Sequence, residues 1–327
     1  MLDLISIGDA TIDNFVMIHD AEVKCNIDKT NCKLCIDYGD KISVDKLVHL
    51  VAGNAANNAV GGSRLKLKSA IYVNVGSDPS GEQIKNKLKE EGVDTRYIKV
   101  NERMESNLST VINFQGERTI LVYHQPWKYD LPDLDRTKWV YFTSVSKSFT
   151  QTNLIGQLTQ YLERQGSRLL YNPGTYQMEE GVKKNPQLLA LTELFIVNKD
   201  EAKRILGFKD EEDVSFKKLL RGICDLGPKM AIVTDGTEGS YGYDGEKYYQ
   251  IGIFPAKLLE MTGAGDGYAT AVCAGLFYGE PLPEAMRWGA ANGASVVEQI
   301  GPQAGLLTYD KMQEKLQQNS RIVAKEI

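Results

Sequence analysis

The sequence predicts an α/β fold, with a mostly parallel central sheet covered by helices on both faces and a smaller β-layer beside it. Two observations carry this. Short apolar, β-branched runs alternate with longer amphipathic ones along most of the chain, and parallel strands joined by helical crossovers have this pattern. Two segments, about 15–50 and 102–123, break the rhythm with short polar–apolar alternation and many charges, as exposed sheet does.

The elements follow in order. "LISIG" reads as a buried first strand, and after the first interruption "NAANNAVGGSRL" reads as a helix of small residues. "SAIYVNVG" is the next strand, and "PSGEQIKNKLKEEG" a helix closed by a C-capping glycine. "ERMESNLSTVINFQGERTILVY" reads as a hairpin turning at "QGE". Strands "WVYFTSV", "RLLYN", "LFIVN" and "MAIVTDG" then alternate with helices "QTNLIGQLTQYLERQG", "DEAKRILG" and "VSFKKLLRGICDLG". The expected organisation is a main domain over 1–14, 51–101 and 124–327, with 15–50 and 102–123 pairing into a β lid. Such a lid closes over a substrate or pairs with a second copy of the chain. Ligands of open α/β sheets sit beyond the carboxyl ends of the strands.

Composition narrows the function. With 327 residues, 42% hydrophobic and 25% charged, the chain can bury one large core or two smaller ones. A net charge of −5 gives no broad attraction for nucleic acid or anionic lipid. No apolar run reaches the ~20 residues that span a bilayer. "MLDLISIGDATID" carries Asp3 and no basic stretch, so it reads as a strand and not a signal peptide. A cytoplasmic protein with no nucleic-acid or membrane partner is expected. The five cysteines are odd in number and Cys224 and Cys273 have apolar surroundings, which argues against a disulfide framework. Cys25, Cys32 and Cys35 cluster, with His19 and His49 the nearby imidazoles. Reduced thiols in a small sheet are expected there, and half a zinc site is the alternative.

The most informative stretch is "EMTGAGDGYATA". A Gly-Ala-Gly turn leads through Asp266 into a small-residue run, as at the start of a buried helix. The first helical turn has free N–H groups and a partial positive charge, so it attracts anions, and glycines admit close approach. The same field favours an ionised Asp266 that accepts a proton from a hydroxyl. Alone, G-x-G-D is more simply a capped turn. The chain has no G-x-x-x-x-G-K-[ST], no G-x-G-x-x-G after its first strand, and no histidine constellation of a hydrolase.

Taken in order, the motifs resemble the ribokinase-like (PfkB) carbohydrate kinases. "TGAGDGYATAVCAGL" looks like their C-terminal signature and "AGNAANNAVGGSRL" their N-terminal one, with "FIVNKDEAKRILG", "YNPG" and "VTDGTEG" between them. The likeness runs from residue 2 to about 306 and implies a three-layer α/β/α domain with a small β-sheet lid. It implies transfer of the ATP γ-phosphoryl group to a sugar hydroxyl. Asp266 would be the base, and the amides of Gly263, Ala264 and Gly265 the anion hole. Asp13, Gly53, Asn54 and Asn57 would hold the sugar; Asn198, Thr234, Gly236, Gly239 and Asn292 would line the nucleotide. Glu201 would hold Mg²⁺ through water. Glu260 stands where many members carry the acid of a monovalent-cation site; it is one methylene longer, which puts K⁺ activation in question. Ala52 replaces a glycine of the usual motif, Lys66 stands where glycine is common, and "CNIDKTNCKLC" is not a common feature. Two alternatives stand beside the sugar kinase. A nucleoside kinase would need an aromatic slot, for which Phe15, Tyr123 and Trp127 are candidates, and a non-catalytic sensor would need none of the catalytic set. A homodimer through the lid is the expected partner arrangement.

Overall fold

The computed structural model describes residues 1–26, 32–115, 117–209 and 211–327. The first half runs β1 (Leu2–Ile7), β2 (Thr11–Ile18), β3 (Glu22–Cys25), β4 (Cys32–Cys35), β5 (Val44–Ala52), α1 (Asn54–Arg64), β6 (Ser69–Tyr72), β7 (Asn74–Gly76), α2 (Pro79–Glu90), β8 (Lys99–Asn101), β9 (Leu108–Phe114) and β10 (Glu117–Tyr123). The second runs β11 (Thr137–Phe142), α3 (Leu154–Gln165), β12 (Arg168–Tyr171), α4 (Thr175–Glu180), α5 (Pro186–Ala190), β13 (Thr192–Asn198), α6 (Lys199–Leu206), α7 (Phe216–Cys224), β14 (Met230–Thr234), β15 (Ser240–Tyr243), β16 (Tyr248–Ile251), α8 (Ala264–Phe277), α9 (Leu282–Val296), α10 (Tyr309–Gln318) and β17 (Lys325–Glu326).

The main sheet has the order β17-β16-β15-β14-β13-β12-β11-β1-β6. Neighbours from β6 to β14 are parallel, and β15 to β17 add an antiparallel edge. Alternate side chains enter opposite cores, as a pleated strand requires. Ile5, Ile7, Val140 and Phe142 face Leu158 of α3 and Leu219 of α7. Leu4, Trp139 and Tyr141 face Val272 of α8 and Met286 of α9. Helices thus cover both faces, as expected. "SAIYVNVG" divides: the Val73 carbonyl accepts from Lys99 N–H at 2.9 Å, turning β7 away from the main sheet to pair with β8. The helix expected to close on glycine does so, with Gly92 at φ 74°, and α3 ends the same way at Gly166, φ 65°.

A separate four-stranded sheet has the order β10-β9-β2-β5. Its pairing begins at Thr11↔Ala52, so the lid sheet takes in residues 11–14 and 51–52, which the sequence reading gave to the main domain. The β9–β10 hairpin forms as expected, with Phe114 opposite Glu117. Gln115 of its "QGE" turn has φ 52°; Gly116 lies outside the described residues.

One expectation is overturned. β3 and β4 pair with Cys25 opposite Cys32, and the two form a disulfide across a Cα separation of 4.0 Å. The hairpin register sets them face to face, which a count of cysteines does not reveal. Cys35, Cys224 and Cys273 are free thiols, and burial pushes Cys224 and Cys273 up to about 12. Among the described residues no His, Cys, Asp or Glu cluster could hold a metal ion, so the zinc alternative finds no support. Nor does any helix among them have the length and apolarity to cross a membrane.

Candidate active site

Asp266 stands in the first turn of α8 with only 7% of its surface exposed. Its two carboxylate oxygens accept from Asn54 Nδ2 and Asn57 Nδ2, each at 2.8 Å. These asparagines lie three apart on α1, so their side chains share one face. Small residues bring α1 to α8: a Cβ on Gly61 would lie 2.7 Å from Thr270 Cγ2. Asn58 Nδ2 then bonds Thr270 Oγ1 at 2.9 Å. Burial raises Asp266 above the usual carboxylate range, and the Asn57 and Asn54 amides pull it partly back.

Asp13, on β2, is buried beside Ser109 of β9 and accepts from Thr11 Oγ1 at 2.5 Å. Burial raises it too, against the Thr11 and Ser109 hydrogen bonds, and the charges of Asp266 and Glu260 push in the same direction as burial. The lid strand therefore delivers its acid to the same cleft as α8. Gly53, at φ 98°, begins α1 where β5 returns from the lid, and a Cβ there would overlap the backbone of Asp9 and Ala10. Only glycine fits this crossing.

The glycine turn divides. Gly263 takes φ 84°, and a Cβ on it would overlap Pro302. Gly265 faces open space. Ala264 N–H donates to the Met261 carbonyl at 3.2 Å, so in this structure the turn closes through this amide. No acceptor stands opposite the amides of Gly263, Gly265 and Asp266 among the described residues.

Asn198 and Thr234 stand side by side at the carboxyl ends of β13 and β14. Asn198 and Glu201 form a reciprocal cap on α6: Glu201 N–H donates to Asn198 Oδ1 at 2.8 Å and Asn198 N–H to Glu201 Oε2 at 2.9 Å. Burial raises Glu201, and the charge of Asp266 adds to this. Gly236 (φ 50°) opens to solvent after β14, whereas Gly239 (φ 90°) packs on the Ile251 carbonyl. Asn292 is wholly buried and spends its amide internally, donating to Gly267 O at 2.8 Å and accepting from Leu307 N–H at 2.9 Å. It ties α8 to the chain after α9, and with none of its surface exposed it presents no free face in this structure. Glu260 is 5% exposed. Its Oε1 accepts from Thr262 N–H at 2.8 Å and Thr262 Oγ1 at 2.5 Å, while Oε2 is buried without a donor.

The three aromatic candidates for a base slot differ in exposure. Phe15 and Trp127 are fully buried, and Tyr123 is half-exposed with its hydroxyl on Glu105 at 3.0 Å. An opening of about 240 Å³ lies instead between Met17, Asn113 and Arg118 of the lid sheet and Glu260–Met261. A larger depression, about 520 Å³ beside α3 and α5, contains none of the candidate residues.

The sequence reading missed two groups. Gln303 Nε2 donates to Asn57 Oδ1 at 3.1 Å; the only signal is a polar residue after a Gly-Pro turn. Asp9, one turn before the lid, accepts from Tyr129 Oη at 2.5 Å, Ser146 Oγ at 2.7 Å and Asn107 Nδ2 at 3.3 Å. Complete burial raises its carboxyl to about 6 against those three hydrogen bonds.

Residues 14–308 match the pfkB family of carbohydrate kinases, and the chain belongs to that family. It is 26% identical over 277 residues to an ATP-dependent 6-phosphofructokinase of Thermoanaerobacterium thermosaccharolyticum, covering 81% of this chain and 84% of that one. It is likewise 26% identical over 296 residues to a 5-dehydro-2-deoxygluconokinase of Geobacillus kaustophilus, covering 82% and 85%. In fold it is similar to an Arabidopsis thaliana ribokinase complexed with ribose and ATP, with TM-score 0.78, 21% identity and coverage of 96% and 98%. A Methanocaldococcus jannaschii nucleoside kinase has TM-score 0.76 at 21% identity, covering 98% and 99%. The chain is therefore a phosphotransferase that acts on an alcohol group.

Proposed function

We propose that this member of the pfkB family transfers the γ-phosphoryl group of ATP to a hydroxyl of a small sugar, with Asp266 as the base. The observation that carries this reading is the convergence of a buried carboxylate, two asparagine amides and Asp13 beside the uncovered amides at the start of α8. The acceptor hydroxyl lies between Asp13 and Asp266. Asp266 takes its proton as the oxygen bonds to the γ-phosphorus, the bond to the β-phosphate oxygen breaks, and ADP leaves. The N–H groups of Gly263 and Gly265 receive the phosphoryl oxygens, and the open face of Gly265 allows that approach. Asn198, Thr234 and Gly236 border the nucleotide.

Glu201 fits a role beside Mg²⁺, because its half-buried carboxyl, raised chiefly by desolvation and further by the charges of Asp200 and Asp266, gains from a nearby cation. Mg²⁺, when bound, neutralises phosphate charge. Glu260 fits a monovalent cation such as K⁺, since its buried Oε2 has no donor and an unpaired buried acceptor is destabilising. The sugar reading is favoured over the nucleoside one by burial of Phe15 and Trp127. We place the activity in the cytoplasm, with its donor. The exposed lid edge β10, with Ile120, Leu121, Val122 and Tyr123 all 43–57% exposed, suits pairing with a second copy.

The test is an ADP-release screen across pentoses, hexoses, sugar phosphates and nucleosides, with and without K⁺. Turnover on a sugar supports the reading; ATP and sugar binding without turnover on any acceptor sinks it in favour of a sensor.

A further inference from the structure

We propose that Gln303 is a positioning residue for phosphoryl transfer, holding the Asn57 amide so that its N–H end, and not its oxygen, faces Asp266. This rests on the reading of Asp266 as the base. A primary amide presents a donor on one side and an acceptor on the other, and a half-turn exchanges them. Asn57 Nδ2 reaches Asp266 Oδ2 at 2.8 Å while Asn57 Oδ1 accepts from Gln303 Nε2 at 3.1 Å. The two contacts agree in sense: with Gln303 Nε2 on Oδ1, the N–H end of Asn57 is left for Asp266. Asn54 also donates to Asp266 at 2.8 Å but has no such anchor, and it is less buried. An incoming hydroxyl can therefore displace Asn54 while Asn57 stays.

Gln303 is itself held from several sides. It is 6% exposed, and its Oε1 meets no protein donor, so Asn57 is its side-chain partner. Its carbonyl accepts from Arg64 Nη1 at 2.6 Å, and Arg64 in turn grips both oxygens of Glu91, at 2.9 and 2.8 Å. The preceding Pro302 packs on Gly263, and Gly301 on Leu50 of lid strand β5. One tripeptide thus touches the lid, the glycine turn and the substrate loop.

The charged and titratable groups whose fields couple to Asp266 are Asp13 from β2, Glu201 from α6 and Tyr141 from β11. None is a cation. Besides the field of α8 itself, the amide donors of α1 are what favour the ionised form of Asp266 against its burial, and a reversed Asn57 would set an oxygen against its carboxylate.

The test titrates the Asp266 carboxyl by carbon-13 NMR, assigned as the signal lost in Asp266→Asn, alongside the pH profile of turnover. Gln303→Glu replaces the donor by an acceptor, and Gln303→Met keeps the length and removes the donor. The expected result is an Asp266 titration raised by about one unit in Gln303→Glu, part of it from the field of the new carboxylate, and a smaller rise in Gln303→Met, which adds no charge and so reads the lost donor alone. The acid limb of turnover should move with it, lowering the rate about tenfold on that limb. If Gln303→Glu does not fold, Gln303→Met carries the comparison. An unchanged titration and acid limb in an active, folded variant overturns the role of Gln303 alone, even if the melting temperature falls. A shifted titration in a protein whose wild type transfers no phosphoryl group overturns the kinase reading, and the positioning role with it.

Discussion

Replacing Asp9 by Asn should change how stability depends on pH. Asp9 sits where the chain leaves β1 for the lid, and its partner Asn107 precedes β9 and accepts from Gln125 N–H, just after β10, at 2.8 Å. Tyr129 and Ser146 complete the node from the main domain. Its carboxyl rises from 3.8 to about 6 on folding, a difference worth roughly 3 kcal/mol. The native state therefore holds a proton that the unfolded chain has lost between those two values. The stabilisation is full below 3.8 and is lost as pH rises through about 6. Roughly 2 kcal/mol of it falls between about pH 4.5 and about pH 7.5. Urea unfolding of wild type and Asp9→Asn across that range isolates the effect, because other groups cancel in the difference. Wild type should lose about 2 kcal/mol relative to the variant as pH rises. A difference flat in pH would refute the burial argument for this carboxyl.

Four further outcomes are expected. Asp266→Asn should retain fold and ligand binding while turnover falls by several orders of magnitude, read by ADP release and by calorimetric titration of ATP. Asp13→Ala should raise the KM for the acceptor strongly and leave ATP affinity intact; equal loss of both would count against its place on the sugar. Gly263→Ala meets a positive φ and Pro302 and should destabilise by about 1–3 kcal/mol. Gly265→Ala meets nothing in the protein, so its melting curve should match wild type while turnover falls at least about tenfold.

Local pattern determined much of this protein. Alternating apolar runs were enough for the parallel strands β1, β6 and β11–β14 and for helices α1–α3, α6 and α7, because each period follows from the geometry of its own backbone. Asp266 and its glycines were legible for the same reason: a helix start and a flexible turn are local events. The capping box between Asn198 and Glu201 is equally local, closing within four residues, but it emerged only in the structure.

Tertiary structure decided the rest, through groups far apart in sequence. Asn54 and Asn57 meet Asp266 across 212 and 209 residues, and Gln303 meets Asn57 across 246. No periodicity encodes such contacts; they depend on α1 and α8 closing over small side chains. Asn292 looked available for a nucleotide and proved to be internal glue, because helix packing turned both ends of its amide to backbone partners. Cys25 and Cys32 became a disulfide through a hairpin register that composition could not supply. Composition and local pattern specify which chemical groups are present and which backbone each one sits on. Which of them face one another was settled only when long-range packing brought the sheet, the lid and α8 to a common cleft.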